Sequence, residues 1–139
     1  MLNEMEQRAL EMLLAGDNEE LAVLRAQLNA AAIVRREFTG VRFFTYLAVP
    51  AGLARLKGRA RLVLDDVYAE VAGLQHDAGF LLFVSDGAID VLECCIVDDQ
   101  WPDDAVLRRL YYIGPVAPGS SNLVETKERD VEWALRNAV

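Results

Sequence analysis

The chain has 139 residues, 53% of them hydrophobic and 26% charged, with a net charge of −8 at neutral pH. That length suits one domain, which buries roughly 65–70% of the surface its unfolded chain exposes, so neither disulfides nor a metal is needed to hold it. The acidic balance argues against a nucleic-acid partner, because phosphates would be repelled.

Nor does any apolar run approach the ~20 residues of a membrane-spanning helix. The first ten residues, MLNEMEQRAL, carry acids where a secretion signal needs bases, and they lack its apolar segment. A cytoplasmic location, with no membrane partner, is therefore expected. Cys94 and Cys95 are the only thiols. As strand neighbours they point to opposite faces, and bridging them would strain the backbone. No CxxC spacing is present, so neither a metal nor a cofactor is expected.

In chain order, residues 2–15 read as an amphipathic helix through Leu2, Met5, Ala9 and Leu13, with Gly16 as its C′ glycine. Asp17 is placed to cap a second helix, with Glu20 at the capping-box position and Leu21, Leu24 and Leu28 as the apolar stripe. The short connection predicts a helical hairpin over residues 1–31, covering one face of a sheet.

From Ala32 the period changes to alternation. Strands are predicted at 33–38 and 41–49, joined at Thr39-Gly40. In the second, Val41, Phe43, Thr45, Leu47 and Val49 face one way, and Arg42, Phe44 and Tyr46 the other. The segment after Pro50-Ala51-Gly52 spaces Arg55, Lys57, Arg59 and Arg61 by two. It reads as an anion-binding strip if extended, or as a solvated loop or edge strand whose charges discourage aggregation.

Residues 62–71 form the next strand, with Asp65-Asp66 as a bulge or turn. The loop at 73–79 holds the only histidine, His76, beside Asp77. Adjacent residues seldom serve as base and orienter, so a surface histidine is the better reading. The chain is organised around residues 80–96. Two apolar runs flank Ser85-Asp86-Gly87-Ala88, and Asp-Gly favours the positive φ angles of a type I′ turn. Residues 80–84 are apolar on both faces, so a central strand with something packed on each side is expected. Beyond the turn, Ile89, Val91, Glu93 and Cys95 share one face, and Asp90, Leu92, Cys94 and Ile96 the other.

An acidic loop follows, with Asp98, Asp99, Asp103 and Asp104 around Trp101-Pro102. Its spacing does not fit a calcium-binding EF-hand. A last strand is predicted at 107–113 and a linker at 114–121. Asn122 then caps a C-terminal helix, with Glu125 three residues on and Val124, Val131, Leu135 and Ala138 as its stripe.

Charge is unevenly spread. Residues 62–107 hold eleven acids and no Lys or Arg, whereas residues 35–61 hold seven bases and one acid, Glu37. Either the two segments pair inside the sheet, or they mark a binding surface.

Arg36-Glu37-Phe38-Thr39-Gly40-Val41 running into Phe43-Phe44-Thr45, then Gly73-Leu74, Gly79-Phe80-Leu81-Leu82-Phe83, Asp86-Gly87, Leu92-Glu93 and Trp101-Pro102, resemble a group of small uncharacterised bacterial proteins. The resemblance covers most of the chain. It implies a bacterial soluble domain and carries over no activity, cofactor or catalytic residue. Where those proteins have Gly, this chain has Arg42, and where they have His-Gly it has His76-Asp77, which weakens any site built on either.

The fold expected is α+β in a single domain over residues 1–139. A helical hairpin packs on a mainly antiparallel sheet of five or six strands (32–113), followed by a linker and C-terminal helix (114–139). No catalytic motif is present. The function expected is a non-enzymatic interaction module, meeting another protein through an acidic face of Asp98, Asp99, Trp101, Asp103 and Asp104. The alternative is a small-molecule pocket between sheet and helices, with Glu93 and Tyr46 supplying carboxylate and phenol and Arg36 or Arg42 a positive charge. A second copy of the chain, meeting the terminal helix or a free strand edge, is the other partner to consider.

Overall fold

Asn3 opens the first helix in a computed structural model that describes residues 1–98 and 100–137. Asp99 and Ala138, both named above, lie outside the described residues. The Asn3 side chain accepts the Glu6 N–H, and the Glu6 carboxylate accepts the Asn3 N–H, both at 2.8 Å. This capping box starts α1 (Glu4–Leu13) later than the apolar spacing alone predicts. Leu14 ends it, and Gly16, at φ +134°, turns the chain. Helix α2 (Glu19–Ala30) is capped by Asn18, not Asp17. Both residue types cap well; the turn after α1 uses up Asp17.

Seven strands follow: β1 (Ala32–Phe38), β2 (Arg42–Ala48), β3 (Leu62–Ala72), β4 (Ala78–Ser85), β5 (Ala88–Cys95), β6 (Val106–Pro115) and β7 (Leu123–Thr126). They form one antiparallel sheet in the order β1-β2-β5-β4-β3-β6-β7. The architecture is the expected α+β, with one strand more than expected. That strand occupies the start of the predicted final helix. Asn122 caps no helix, because Leu123 to Thr126 pair with residues 112–115 and extend β6 through Gly114 and Pro115. A helix survives only as α3 (Val131–Ala134), capped by Asp130, with Leu135 in the core as the stripe requires. Among the described residues no helix is long and apolar enough to cross a membrane.

The hairpin tip between β4 and β5 has Asp86 at φ 51° and Gly87 at φ 73°, as a type I′ turn requires. Gly87 is also fixed by crowding, since a Cβ there would lie 2.4 Å from the Leu56 carbonyl oxygen. The segment between β2 and β3 clasps this tip: Leu56 N–H donates to Gly87 O, and Gly87 N–H to Ala60 O. Buried Gln27 of α2 completes the clasp. Its amide donates to Ala54 O and Gly87 O, and its carbonyl accepts the Ile89 N–H at 3.0 Å. Gln27→Leu leaves Ile89 N–H without its partner in a buried place, and should lower stability by about 1–2 kcal/mol in urea denaturation. An unchanged midpoint would refute this keystone role.

Helices α1 and α2 pack on one face of the sheet, where Leu10, Leu13, Leu21, Leu24, Phe80 and Leu82 are among the fully buried side chains. A register shift between Phe83 and Val84 makes Asp90 the extra residue of a bulge. The shift turns Ile89 into this core, away from the face of Val91 and Glu93 that plain alternation assigns it. Asp65-Asp66 do form a bulge, marked by the shift between Leu64 and Val67.

Candidate functional site

Alternation along each strand, combined with the cross-strand register, decides which side chains meet on the face opposite the helices. Arg42 stands beside Cys95, which stands beside Gly79; Phe44 beside Glu93 and Leu81; Tyr46 beside Val91 and Phe83. Across β3 and β6 the row continues from Gly79 through Tyr68 to Tyr111. None of the described helices covers this face. It combines aromatic rings with ions that are mostly neutralised in place.

Arg42 donates to Glu93 at 2.9 Å, with the carboxylate side chain 9% exposed and the guanidinium 53%. Arg35 lies 3.8 Å above the Tyr46 ring and donates to Glu37, and Tyr46 stacks with Phe44. On the far side Arg109 sits 4.6 Å from the Tyr111 ring and grips Glu125 with two bonds. Tyr111 donates its hydroxyl to Asp77. Burial, then this anionic acceptor, pushes the phenol above its ordinary pKa, so it remains a donor. Burial and neighbouring Glu93 likewise raise the Cys95 thiol. Cys94, on the helix side, is raised by burial as well. Neither is an activated nucleophile.

Three of the four predicted ligand residues, Glu93, Tyr46 and Arg42, therefore share a surface, but it is the uncovered one. Arg36 does not join them. It points to the helix side, where Nε and Nη2 bind Glu6 at 2.8 and 2.7 Å. A groove of about 660 Å³ in the helical layer runs along Gln7, Glu11, Arg25 and Asn29 and contains none of the four.

The acidic loop is partly committed to its own structure. Asp98 accepts the N–H groups of Gln75 (2.7 Å) and His76 (3.3 Å), and these bonds, Gln75 first, hold its carboxyl below the ordinary value. Trp101 sets its ring edge-on to Phe43, and its main-chain N–H donates to Gly40 O. Asp103 and Asp104 are exposed. His76 faces Asp98 while Asp77 faces Tyr111, so the adjacent pair diverges. Among the described residues no three His, Cys, Asp or Glu side chains converge on a metal position.

The basic segment is an irregular loop, so spacing by two places nothing on a common side. Leu56 is buried in the core and Arg59 binds Glu20 and the Leu135 carbonyl. Of the bases in residues 35–61, Arg42 alone among the described ion pairs meets an acid of residues 62–107. Asp65, Asp66 and Glu70 are met instead by Arg136, Arg129 and Arg109, from the C-terminal third of the chain. The two segments thus adjoin through β2 and β5, but their charges, Arg42 and Glu93 excepted, do not pair across them. Arg55, Lys57 and Arg61 gather by the β4–β5 tip, while Asp77, Asp98, Asp103 and Asp104 lie at the opposite end of the strands.

Leu81, Phe83, Tyr68 and Tyr111 belong to this face and were not among the expected site residues. The signal for Leu81 and Phe83 was the doubly apolar run at 80–84. Compared with protein-family models, curated proteins and solved structures, the chain matches none.

Proposed function

We propose that the protein is a non-enzymatic bacterial interaction module, working in the cytoplasm, that docks another protein on the uncovered face of its sheet. One observation carries this reading. β4 is central and apolar on both faces, as strands packed on two sides are, yet the described helices cover only one side and Leu81 and Phe83 remain partly exposed on the other. A partner would supply the missing layer. Seven strands about 4.8 Å apart and some seven residues long span roughly 650 Å² in projection, near the ~800 Å² per partner of a standard interface. The partner that fits has an apolar patch bordered by basic groups, because the acidic loops at one end of the strands favour encounter with positive charge.

A photo-crosslinking residue at Leu81, compared with one at Glu11 on the helical layer, tests the reading. A defined adduct from Leu81 is expected, with yield falling as salt rises and lost in Phe83→Glu. An adduct formed equally from Glu11, or none from Leu81, would count against it. A small-ligand reading keeps one supporting feature, the nine-tenths buried Glu93 carboxylate beside half-exposed Arg42. A thermal shift with a metabolite that vanishes in Arg42→Ala would favour it.

A further inference from the structure

Strand β1 is an outer strand, paired on one side only, with β2. It exposes two large apolar side chains, Val34 at 63% and Phe38 at 61%. Between them lie Arg35, Arg36 and Glu37. Charges on a free edge ordinarily discourage pairing. Here their order makes the strand complementary to itself.

We propose that β1 pairs antiparallel with β1 of a second copy, about a twofold axis at Arg36. In that register Arg35 opposes the partner's Glu37, Glu37 opposes the partner's Arg35, and Val34 opposes the partner's Phe38. The contact is isologous, so each match occurs twice. Arg35 and Glu37 share the uncovered face with Tyr46 and Phe44, their β2 neighbours, so the opposed charges meet on one side. The two Arg36 side chains approach at the axis on the helix side, where each is already neutralised by its own Glu6.

The main chain has the right phase. Thr39 N–H donates to Arg42 O at 2.9 Å, closing the β1–β2 turn. Antiparallel ladders alternate, so counting back turns the main-chain groups of Glu37 and Arg35 toward β2 and those of Phe38 and Arg36 outward. A register centred on Arg36 joins groups that point outward. The bulge between Ile33 and Arg35 ends the pairing there. A contact of five residues per strand falls at the small end of interface sizes, so the dimer is weak and depends on concentration. Its axis stands normal to the sheet, which places both uncovered faces on the same side of one continuous fourteen-stranded sheet.

Sedimentation of the full chain at about 10 and about 500 µM tests this, with each single charge reversal expected to weaken association at least about tenfold by setting like charges opposite each other twice. Arg35→Glu and Glu37→Arg are the single variants; the combined swap restores the match and most of the association. Both positions are about half-exposed, so the fold should survive, and the thermal midpoint confirms it. A monomer at both concentrations would overturn the proposal. So would a dimer indifferent to the single reversals, or a swap that fails to recover. Crosslinking from Leu81 reads the docking face separately, so either idea can fail alone.

Discussion

Arg129→Met lowers folding stability by about 3–5 kcal/mol, the cost of leaving a buried charge without its partner. Asp66 is fully buried, and Arg129, 5% exposed, donates to both of its oxygens at 2.8 Å. A third bond from Arg129 reaches the Ala15 carbonyl at 2.8 Å, in the turn between α1 and α2. One guanidinium thus joins the β3 bulge, the helical hairpin and the segment before α3. Burial already pushes the Asp66 carboxyl above its ordinary pKa, against the opposing pull of Arg129. With Arg129 gone the main opposition to that push is lost. An acid whose folded pKa is raised favours folding as pH falls through the raised value, since the folded state then binds more protons. The variant should therefore regain part of its deficit between neutral pH and about pH 4, the ordinary range of an aspartate. Replacing both residues, Arg129→Met with Asp66→Leu, should recover most of the loss, because an apolar pair leaves no buried charge unpartnered and only the Ala15 carbonyl loses a bond. Urea denaturation with an unchanged m-value checks all three. A single variant within about 1 kcal/mol of the parent would show the pair to be dispensable.

Glu6→Gln should cost about 2–3 kcal/mol, from the loss of charge-assisted bonds at a nearly inaccessible carboxylate. Glu6 accepts from Asn3 N–H, from Arg36 twice, and from the Thr45 hydroxyl. An amide in its place would turn an NH₂ toward a guanidinium, donor against donor. Burial alone would raise the Glu6 carboxyl, but the bonds from Arg36, Thr45 and Asn3 outweigh it and hold the group below its ordinary value of 4.5. The sign is opposite to that of Asp66. Stability from Glu6 is fully present above the unfolded pKa and is lost as pH falls through the depressed folded one. The gap in melting temperature between parent and Glu6→Gln should be widest near neutrality and narrow below about pH 4.5. A gap that stays constant to pH 3 would remove Glu6 from the acid transition.

Both clusters show why part of the molecule could be read in advance and part could not. The β4–β5 tip was legible because Asp86-Gly87 determine their own backbone angles. Glu93 and Arg42 were legible as ionisable groups at apolar strand positions. The partners were not. Arg36 finds Glu6 thirty residues upstream, and Arg129 finds Asp66 63 residues upstream, by pairings that no local pattern encodes. The same limit explains the final helix. Asn122 and Glu125 match a capping box by spacing, yet β6 offers residues 123–126 a ladder that local propensity does not see. Bulges are a further blind spot: one extra residue at Asp90 returned Ile89 to the core against the alternation. The uncovered face was half visible, since residues 80–84 announced burial on two sides while helices were available for only one.

The strand order also bears on how the chain folds. β3, β4, β5 and β6 lie in one neighbourhood of the sequence, and their pairings close short loops, apart from the step between β3 and β6 around the central hairpin. The β1–β2 hairpin joins this ladder along the seam that runs from Arg42 beside Cys95 to Tyr46 beside Val91, and that contact must close a long stretch of chain. Loop closure slows with separation, so β1 and β2 arrive late, as a preformed pair, against an edge of β5 that waits for them. Until they arrive, the β4–β5 tip and its clasp with residues 54–60 hold the open edge in place. Gln27 reaches that tip from α2 across 60 residues, a longer closure still, so the helical layer settles no earlier than the β1–β2 pair.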